Sequence, residues 1–483
     1  MPLVRLPVCI LFEPRMCLYS SKIPIFAKIE NTELLFMSFD NNGENFELIA
    51  KTFEGLEDVL AGELQRLGAH DIRKGRRMVS FSGDKRLMYK ANFALRTAVK
   101  ILKPIKHFEA RNADEVYEAV KDVRWEDYLD ESGSFAVDSV TFGEEFTHSK
   151  FVSYRVKDAI ADYYREKSGK RPSVKISSPD LQLNMHIAGT SCTLSLDSSG
   201  ESLHRRGYRQ EAVEAPLNEV LAAGMIMMTG WDGQCDLVDP MCGSGTILIE
   251  AAMIARNIAP GLFRKEYAFE KWRDFEPELF EEIYNDDSEE RDFEHKIYGY
   301  DISRKAIEIS TANIKAARLH KDIAVAQKVL EDFDWTGGKA IMITNPPYGE
   351  RLTSPDLSGL YATLGEKLKH KFSGNEAWVL SYRDECFDRI GLKATEKIHL
   401  YNGALECQFR KYVIFNGKYK DFKSTEDNAG TLPERPAGRN DAKPERTPYR
   451  RDRRTTDAGE GQRRLGRERK SYKEYGKKNN KKQ

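Results

Sequence analysis

Val238-Asp-Pro-Met-Cys-Gly-Ser-Gly-Thr246 decides the fold. Cys235 to Val238, just before the loop, reads as a short buried strand, and Ser244 to Arg256, just after it, reads as a helix. A strand that turns through glycines directly into a helix is the repeating unit of a parallel α/β sheet. Gly243 and Gly245 let the backbone come close to a ligand, and the first turn of the helix offers N–H groups without intrahelical partners. Alone, such a loop also fits a plain tight turn or a phosphate site. Two features argue against a dinucleotide: the full G-x-G-x-x-G is absent, and Asp239 stands at the strand tip. A carboxylate there repels pyrophosphate and attracts a cationic amino group. Cys242 and Thr246 complete the candidate ligand loop.

Downstream, strands and helices alternate. Ile297 to Tyr300, Ala340 to Thr344 and Ala377 to Ser381 read as strands, with helices at Ser303 to Arg318 and Leu357 to Lys371. Thr395 to Leu400 and Leu405 to Phe415 read as a closing hairpin. Asp301, ending the second strand, can accept from both hydroxyls of a ribose, and it can equally cap the helix that follows. It lies further from the glycine loop than the usual spacing of about 20 residues because Asn257 to Lys296, rich in aromatic and acidic residues, intervenes. Asp332 can accept from an adenine amine. Glu331 and Asp334 are neighbours with the same chemistry, and a solvated acidic turn is the plain alternative.

Thr344-Asn-Pro-Pro-Tyr-Gly-Glu-Arg-Leu352 follows a strand and resists a purely structural explanation. Pro346 and Pro347 fix their own φ and hold Asn345 extended, giving a rigid elbow. The elbow can aim the Asn345 side-chain oxygen and the Pro346 carbonyl at one amine, while Tyr348 offers a ring for stacking. An exocyclic amine of a base is a poor nucleophile because its lone pair is delocalised. Two acceptors holding its N–H groups let the nitrogen become tetrahedral and stabilise the positive charge that develops during attack on a sulfonium methyl. S-adenosyl-L-methionine carries such a methyl, together with the amino group, ribose and adenine that the acidic residues suit. No metal is required.

Upstream lie two small α+β patterns. The first has strands at Phe46 to Lys51, Met78 to Ser82 and Ala98 to Pro104, with helices at Gly55 to Leu67 and Lys85 to Leu95. The second has helices at Ala113 to Val120 and Lys150 to Lys167, a strand at Ser134 to Thr141, and a hairpin from Leu181 to Leu196 turning at Ala188-Gly189-Thr190. Lys150, Arg155, Lys157, Lys170, Arg171 and Lys175 make its helix and the stretch beyond it a candidate RNA surface; a solvated helix face is the alternative. The net charge of zero hides an asymmetry. Residues 423–483 hold 19 Lys and Arg against 10 Asp and Glu, so the body is acidic and the tail basic. That tail has too little apolar surface to fold and is expected to be disordered. Residues 1–36 are read as disordered or as lying upstream of a start at Met37. No apolar run reaches the roughly 18 residues of a membrane span, and the seven scattered cysteines include no CxxC pair. A cytoplasmic protein without a zinc site or disulfides is expected.

The four motifs in this order resemble class I methyltransferases acting on adenine N6 or guanine N2. Together with Leu203-His-Arg-Arg-Gly-Tyr-Arg209 and Ala215-Pro-Leu-Asn-Glu-Val-Leu-Ala-Ala-Gly-Met225, they resemble the THUMP-domain RNA guanine-N2 methyltransferases, especially those of bacterial 23S ribosomal RNA. The resemblance implies a ferredoxin-like unit over 46–106, a THUMP RNA-binding unit over 107–204 and a Rossmann-like catalytic domain over 205–422. That domain would be a mostly parallel seven-stranded sheet closed by an antiparallel hairpin, flanked by an extension over 1–45 and the tail over 423–483. It also implies ribosomal RNA or an assembly intermediate as partner. It matches Asp239, Gly243 and Gly245 to the cofactor loop, Asp301 to the ribose, Asp332 to the adenine and Asn345 to Tyr348 to catalysis. In some bacteria the resembled enzyme carries a second methyltransferase domain where this chain has its basic tail, so a second methylation is not expected. A transfer-RNA guanine enzyme, an adenine-N6 enzyme, a protein glutamine methyltransferase and an RNA-binding assembly factor are the alternatives.

Overall fold

The computed structural model describes residues 45–349 and 357–415. The expected N-terminal extension up to residue 44, the basic tail and the Glu350-Arg-Leu352 end of the Asn-Pro-Pro-Tyr motif lie outside them. Among the described residues no helix is long and apolar enough to cross a membrane.

The N-terminal half builds on β1 (Phe46–Lys51), α1 (Glu57–Arg66), β2 (His70–Gly75), β3 (Met78–Gly83), α2 (Lys85–Ala94) and β4 (Lys100–Glu109). It continues with α3 (Ala113–Lys121), β5 (Ser134–Phe142), α4 (Ser149–Ser168), β6 (Ser173–Val174), β7 (Leu181–Ala188) and β8 (Ser191–Asp197). The two expected α+β units share one eight-stranded sheet, ordered β2-β3-β1-β4-β8-β7-β5-β6. The joint is β4. Its first residues, Lys100 to Leu102, pair with β1, and from Leu102 to Glu109 it pairs with β8. The β4–β8 register shifts between Pro104 and Lys106, where a proline cannot donate to the ladder. Helix α3 is capped by Asn112, whose side chain accepts from Asp114 and Glu115 N–H, and α4 stops at Gly169 in the left-handed conformation. Val116, Val120, Val152, Val156 and Ile160 of these helices are buried in one core with Leu181, Leu183 and Met185 of β7.

The second half contains α5 (Glu219–Met228), β9 (Asp236–Asp239), α6 (Thr246–Ala255), α7 (Pro277–Asn285), β10 (Ile297–Asp301), α8 (Arg304–Ala316) and β11 (Ile323–Gln327). It ends with β12 (Ala340–Thr344), α9 (Leu357–Lys371), β13 (Glu376–Ser381), α10 (Asp384–Ile390), β14 (Glu396–Asn402) and β15 (Leu405–Val413). Its seven strands are ordered β11-β10-β9-β12-β13-β15-β14, parallel except for β15, which runs antiparallel to both its neighbours, β13 and β14. Strand order reverses at β9, which opens a crevice at the carboxyl ends of β9, β10 and β12.

Elements that sequence periodicity does not reveal have physical reasons to hide. Helix α5 is buried at every position from Glu219 to Ile226, so no amphipathic stripe marks it. Strand β11 is an edge strand with only Ile323 buried. The insertion between α6 and β10 is a brace. Its Phe269 and Phe280 pack on Tyr89 and Phe93 of α2, with the Tyr89 and Phe269 rings stacked 4.4 Å apart, and Tyr267 backs both from within the insertion. Arg273 pairs with Asp130, and Lys271 Nζ donates to Ser178 Oγ at 2.6 Å, so the brace also grips the α3–α4 unit. A buried polar junction completes the connection: Arg96 Nη2 donates to the Ile258 carbonyl at 3.0 Å, Arg206 also reaches the Arg96 carbonyl, and Tyr208 donates to Glu250 Oε1 at 2.9 Å.

Candidate active site

The crevice holds a cavity of about 780 Å³. Asp239, Cys242, Gly243, Thr246, Asp301, Asn345, Pro346, Pro347 and Tyr348 all line it, so the fold brings together loops separated by more than one hundred residues of chain. Gly245 is not on the wall and sets the loop's shape. It takes φ +80° as the N-cap of α6, and a Cβ there would meet the Ser310 Cβ at 3.1 Å. The helix therefore opens at Thr246, two residues later than composition suggests.

Asp239 is almost fully buried, and its Oδ1 accepts from Thr344 Oγ1 at 2.7 Å and Met241 N–H at 3.1 Å. The Thr344 contact ties the glycine-loop strand to the residue preceding Asn345. Burial pushes the Asp239 carboxyl up to about 7, and the nearby Asp301 carboxylate adds to the rise. A buried carboxyl held this way gains from a cation. Asp301 accepts from Gly243 N–H on Oδ2 at 2.9 Å and from Ser303 N–H on Oδ1 at 2.8 Å. Ser303, not Asp301, is the N-cap of α8. Each Asp301 oxygen retains a lone pair for a ligand hydroxyl. Cys242 N–H donates to the Tyr300 carbonyl at 2.8 Å, fastening the loop to β10.

Asp332 does not line the cavity. It sits exposed in a short 3-10 turn, Leu330–Asp332, and its neighbour Glu331 is at the wall. A one-residue choice between adjacent carboxylates depends on the twist of that turn, which spacing does not encode. Tyr348 also differs from expectation. Its ring lies edge-to-face on Tyr382 at 5.4 Å, and its hydroxyl donates to Asn345 Oδ1, occupying the acceptor assigned to the amine.

Several site residues escaped motif reading. Arg209 holds the loop from behind, donating to Glu219 Oε1 at 2.7 Å, Ser244 Oγ at 3.0 Å, Thr246 Oγ1 at 2.9 Å and the Leu217 carbonyl at 3.1 Å. Ile302 is an apolar side chain 67% exposed at the cavity wall. Asn402, Gly403 and Leu405, at the β14–β15 turn, face the Asn-Pro-Pro-Tyr elbow. The strand-tip position of Asp301 is a usable signal for its neighbour Ile302; nothing local marks Asn402.

The candidate RNA surface is less concentrated. Arg155 pairs with Asp114 at 2.6 Å and packs over the Tyr117 ring, and Lys170 pairs with Glu131 at 2.6 Å. Lys150, Arg171 and Lys175 are exposed, and Lys157 lies over the Tyr154 ring. Exposed Phe151 and Tyr154 lie between Lys150 and Lys157 along α4.

Residues 206–411 match the RMKL-like methyltransferase domain, 110–197 the THUMP domain and 47–102 the RlmL ferredoxin-like domain. Ribosomal RNA large subunit methyltransferase K/L of Syntrophotalea carbinolica is 40% identical over 379 residues, 76% of this chain and 53% of that protein. The chain thus spans about half the length of such relatives. Protein slr0064 of Synechocystis sp., which carries a provisional RNA methyltransferase name, is 35% identical over 369 residues, 76% of this chain and 96% of its own length. Among solved structures, SMU.472 complexed with SAH shares 30% identity at a TM-score of 0.70, covering 77% of this chain and 99% of that one. Covering 96% and 99% of relatives that are 35% and 30% identical to it, the chain belongs to the RMKL-like methyltransferase family, and it carries a THUMP domain.

Proposed function

We propose that this chain transfers the methyl group of S-adenosyl-L-methionine to N2 of a guanine in RNA, with 23S ribosomal RNA in the cytoplasm as its substrate. The observation that carries the reading is the convergence of Asp239, Asp301, Asn345 and Pro346 on one cavity. The acidic residues suit the cofactor. Asp239 meets its amino group, Asp301 its ribose, and Glu331 or its neighbour Asp332 its adenine. Ile302 covers an apolar face. When bound, the cofactor supplies a methyl group activated on a sulfonium sulfur. Asn345 Oδ1 and the Pro346 carbonyl accept the two N–H groups of the target amine and stabilise the charge that grows on nitrogen. Tyr348, displaced from Asn345, stacks on the extruded base and offsets part of the unstacking cost. The exposed lysines and aromatics of α4 suit phosphates and unpaired bases.

The test is mass spectrometry of ribosomal and transfer RNA from a deletion strain, complemented with wild-type or Asn345→Ala protein. Loss of one N2-methylguanosine from 23S RNA, restored by wild type alone, is expected. Loss of N6-methyladenosine, or of a transfer-RNA guanine mark, would replace the substrate assignment. Restoration by the Asn345→Ala protein would place the chemistry elsewhere.

A further inference from the structure

Residues 210–217 lead into α5 and belong to no helix or strand, yet Val213, Ala215, Pro216 and Leu217 line the cavity. This strap lies directly on the glycine loop: Val213 Cγ2 is 3.8 Å from where a Cβ on Gly243 would stand. Most of it is exposed, and it has no ladder of its own. Such a segment makes a fixed wall only where groups outside it hold it.

Two side chains do so. Arg209 closes the strap on itself, because its guanidinium sits at one end and donates from Nη2 to the Leu217 carbonyl at the other, at 3.1 Å. The same group donates to Ser244 Oγ at 3.0 Å and Thr246 Oγ1 at 2.9 Å in the glycine loop, and from Nε to the buried Glu219 at 2.7 Å. Asn313 of α8 is 1% exposed and makes a second fastening. Its Oδ1 accepts from Gln210 N–H at 2.8 Å and Glu211 N–H at 3.3 Å. Its Nδ2 donates to the Glu211 carbonyl at 3.0 Å and the Ser244 carbonyl at 3.1 Å. Both side chains thus join the strap to Ser244, and neither is part of the cavity wall. A wall ordered in advance spares a ligand the cost of ordering it.

We propose that Arg209 and Asn313 are positioning residues of the cofactor site, which together hold the 210–217 strap against the glycine loop and set the affinity for S-adenosyl-L-methionine without touching it. The inference rests on the cofactor reading above and does not depend on which base is methylated.

The experiment uses the full chain and calorimetry with S-adenosyl-L-homocysteine. Arg209→Lys keeps the charge but cannot reach four acceptors with one ammonium, and it should weaken binding about tenfold. Asn313→Ala should cost a similar factor. Because either change frees the same strap, the double variant should lose less than the product of the two single losses. At saturating cofactor the kcat of each single variant should stay within about twofold of wild type, with the KM for cofactor rising alongside the dissociation constant. In the wild type, S-adenosyl-L-homocysteine should slow amide exchange in peptides covering 210–217, a measurement that needs no variant. A fall in binding stoichiometry at unchanged affinity marks lost folded protein and overturns the role of these residues. So do single losses that simply multiply, and so does a strap whose exchange ignores the ligand. A wild type that binds no S-adenosyl-L-homocysteine removes the inference together with the reading beneath it.

Discussion

The cavity at the ends of β9, β10 and β12 and the outer face of α4 are both polar, and they are built in opposite ways. In the cavity the strand-tip acids and the glycine loop are tied to backbone or to a buried neighbour: Asp239 to Thr344 and Met241, Asp301 to Gly243 and Ser303, Ser244 and Thr246 to Arg209. These bonds hold the acidic residues and the glycine loop in place, and the Tyr348–Asn345 contact is the one that a target amine must displace. On the outer face of α4 and the stretch beyond it, Lys150, Arg171 and Lys175 are exposed, and the pairs of Arg155 with Asp114 and Lys170 with Glu131 are surface contacts of the sort that salt screens. A pre-tied site concentrates its effect in single residues, whereas an exposed basic face spreads it over many.

Substitutions can break that contrast, and the largest effect is expected at Asn345. Asn345→Ala should lower methyl transfer by about 10²–10³-fold while cofactor affinity holds, as for removal of one preorganised polar group. Single-turnover rates paired with calorimetry check it, and normal turnover would mean that the elbow is not the reactive centre. Asp301→Asn comes next. It keeps an acceptor for Gly243 N–H and removes the charge, so cofactor affinity should fall by about 1.5–3 kcal/mol, the range for a hydrogen bond to a charged group. Unchanged calorimetric affinity would take Asp301 out of the ribose subsite.

The third effect depends on pH. Burial raises the Asp239 carboxyl to about 7, above its ordinary carboxylate value. The stability that its retained proton contributes is complete below the ordinary value and is lost as pH rises through about 7. A cationic ligand prefers the ionised form, so cofactor affinity should move the other way and rise about tenfold from pH 6 to pH 8. The rise in Tm on adding cofactor should therefore be larger at pH 8 than at pH 6, and Asp239→Asn should flatten the difference. An equal rise at both pH values in the wild type would show that Asp239 does not meet the amino group. The smallest effects belong to α4. Lys150→Ala and Lys157→Ala should each weaken RNA binding a few-fold and reduce the slope of log affinity against log salt by about 0.7, the increment for one contact to a single strand. The modified nucleotide should stay the same, because phosphate contacts carry no base identity. A double variant with an unaltered slope would move the RNA path off this helix.

Legibility followed the same division. Gly243, Gly245, Asp239 and the Asn-Pro-Pro-Tyr elbow could be found from sequence because each requirement is local. A glycine is needed for φ +80° at the N-cap of α6, and two prolines stiffen the elbow that aims Asn345. Asp332 was the wrong neighbour of Glu331 for the cavity wall, since side chains one residue apart on a 3-10 turn point in different directions. The six cations of the second unit were legible as residues, but the pairing of two of them with Asp114 and Glu131 was not, because those partners lie 41 and 39 positions away.

What the sequence by itself determined is the strand–helix alternation around β9, β10, β12 and β13, the glycine loop, the acids at strand tips and the rigid elbow. All of these follow from backbone restrictions within a few residues. Only the tertiary structure decided that two α+β patterns merge into one sheet through β4, that the insertion after α6 braces both of them, that Arg209 grips the glycine loop from behind, and that the β14–β15 turn lines the same cavity as the Asn-Pro-Pro-Tyr elbow. Each is a contact between segments far apart in the chain. Such contacts are set by which strands become neighbours and which buried polar groups must find partners, and the periodicity of a single segment carries no record of either.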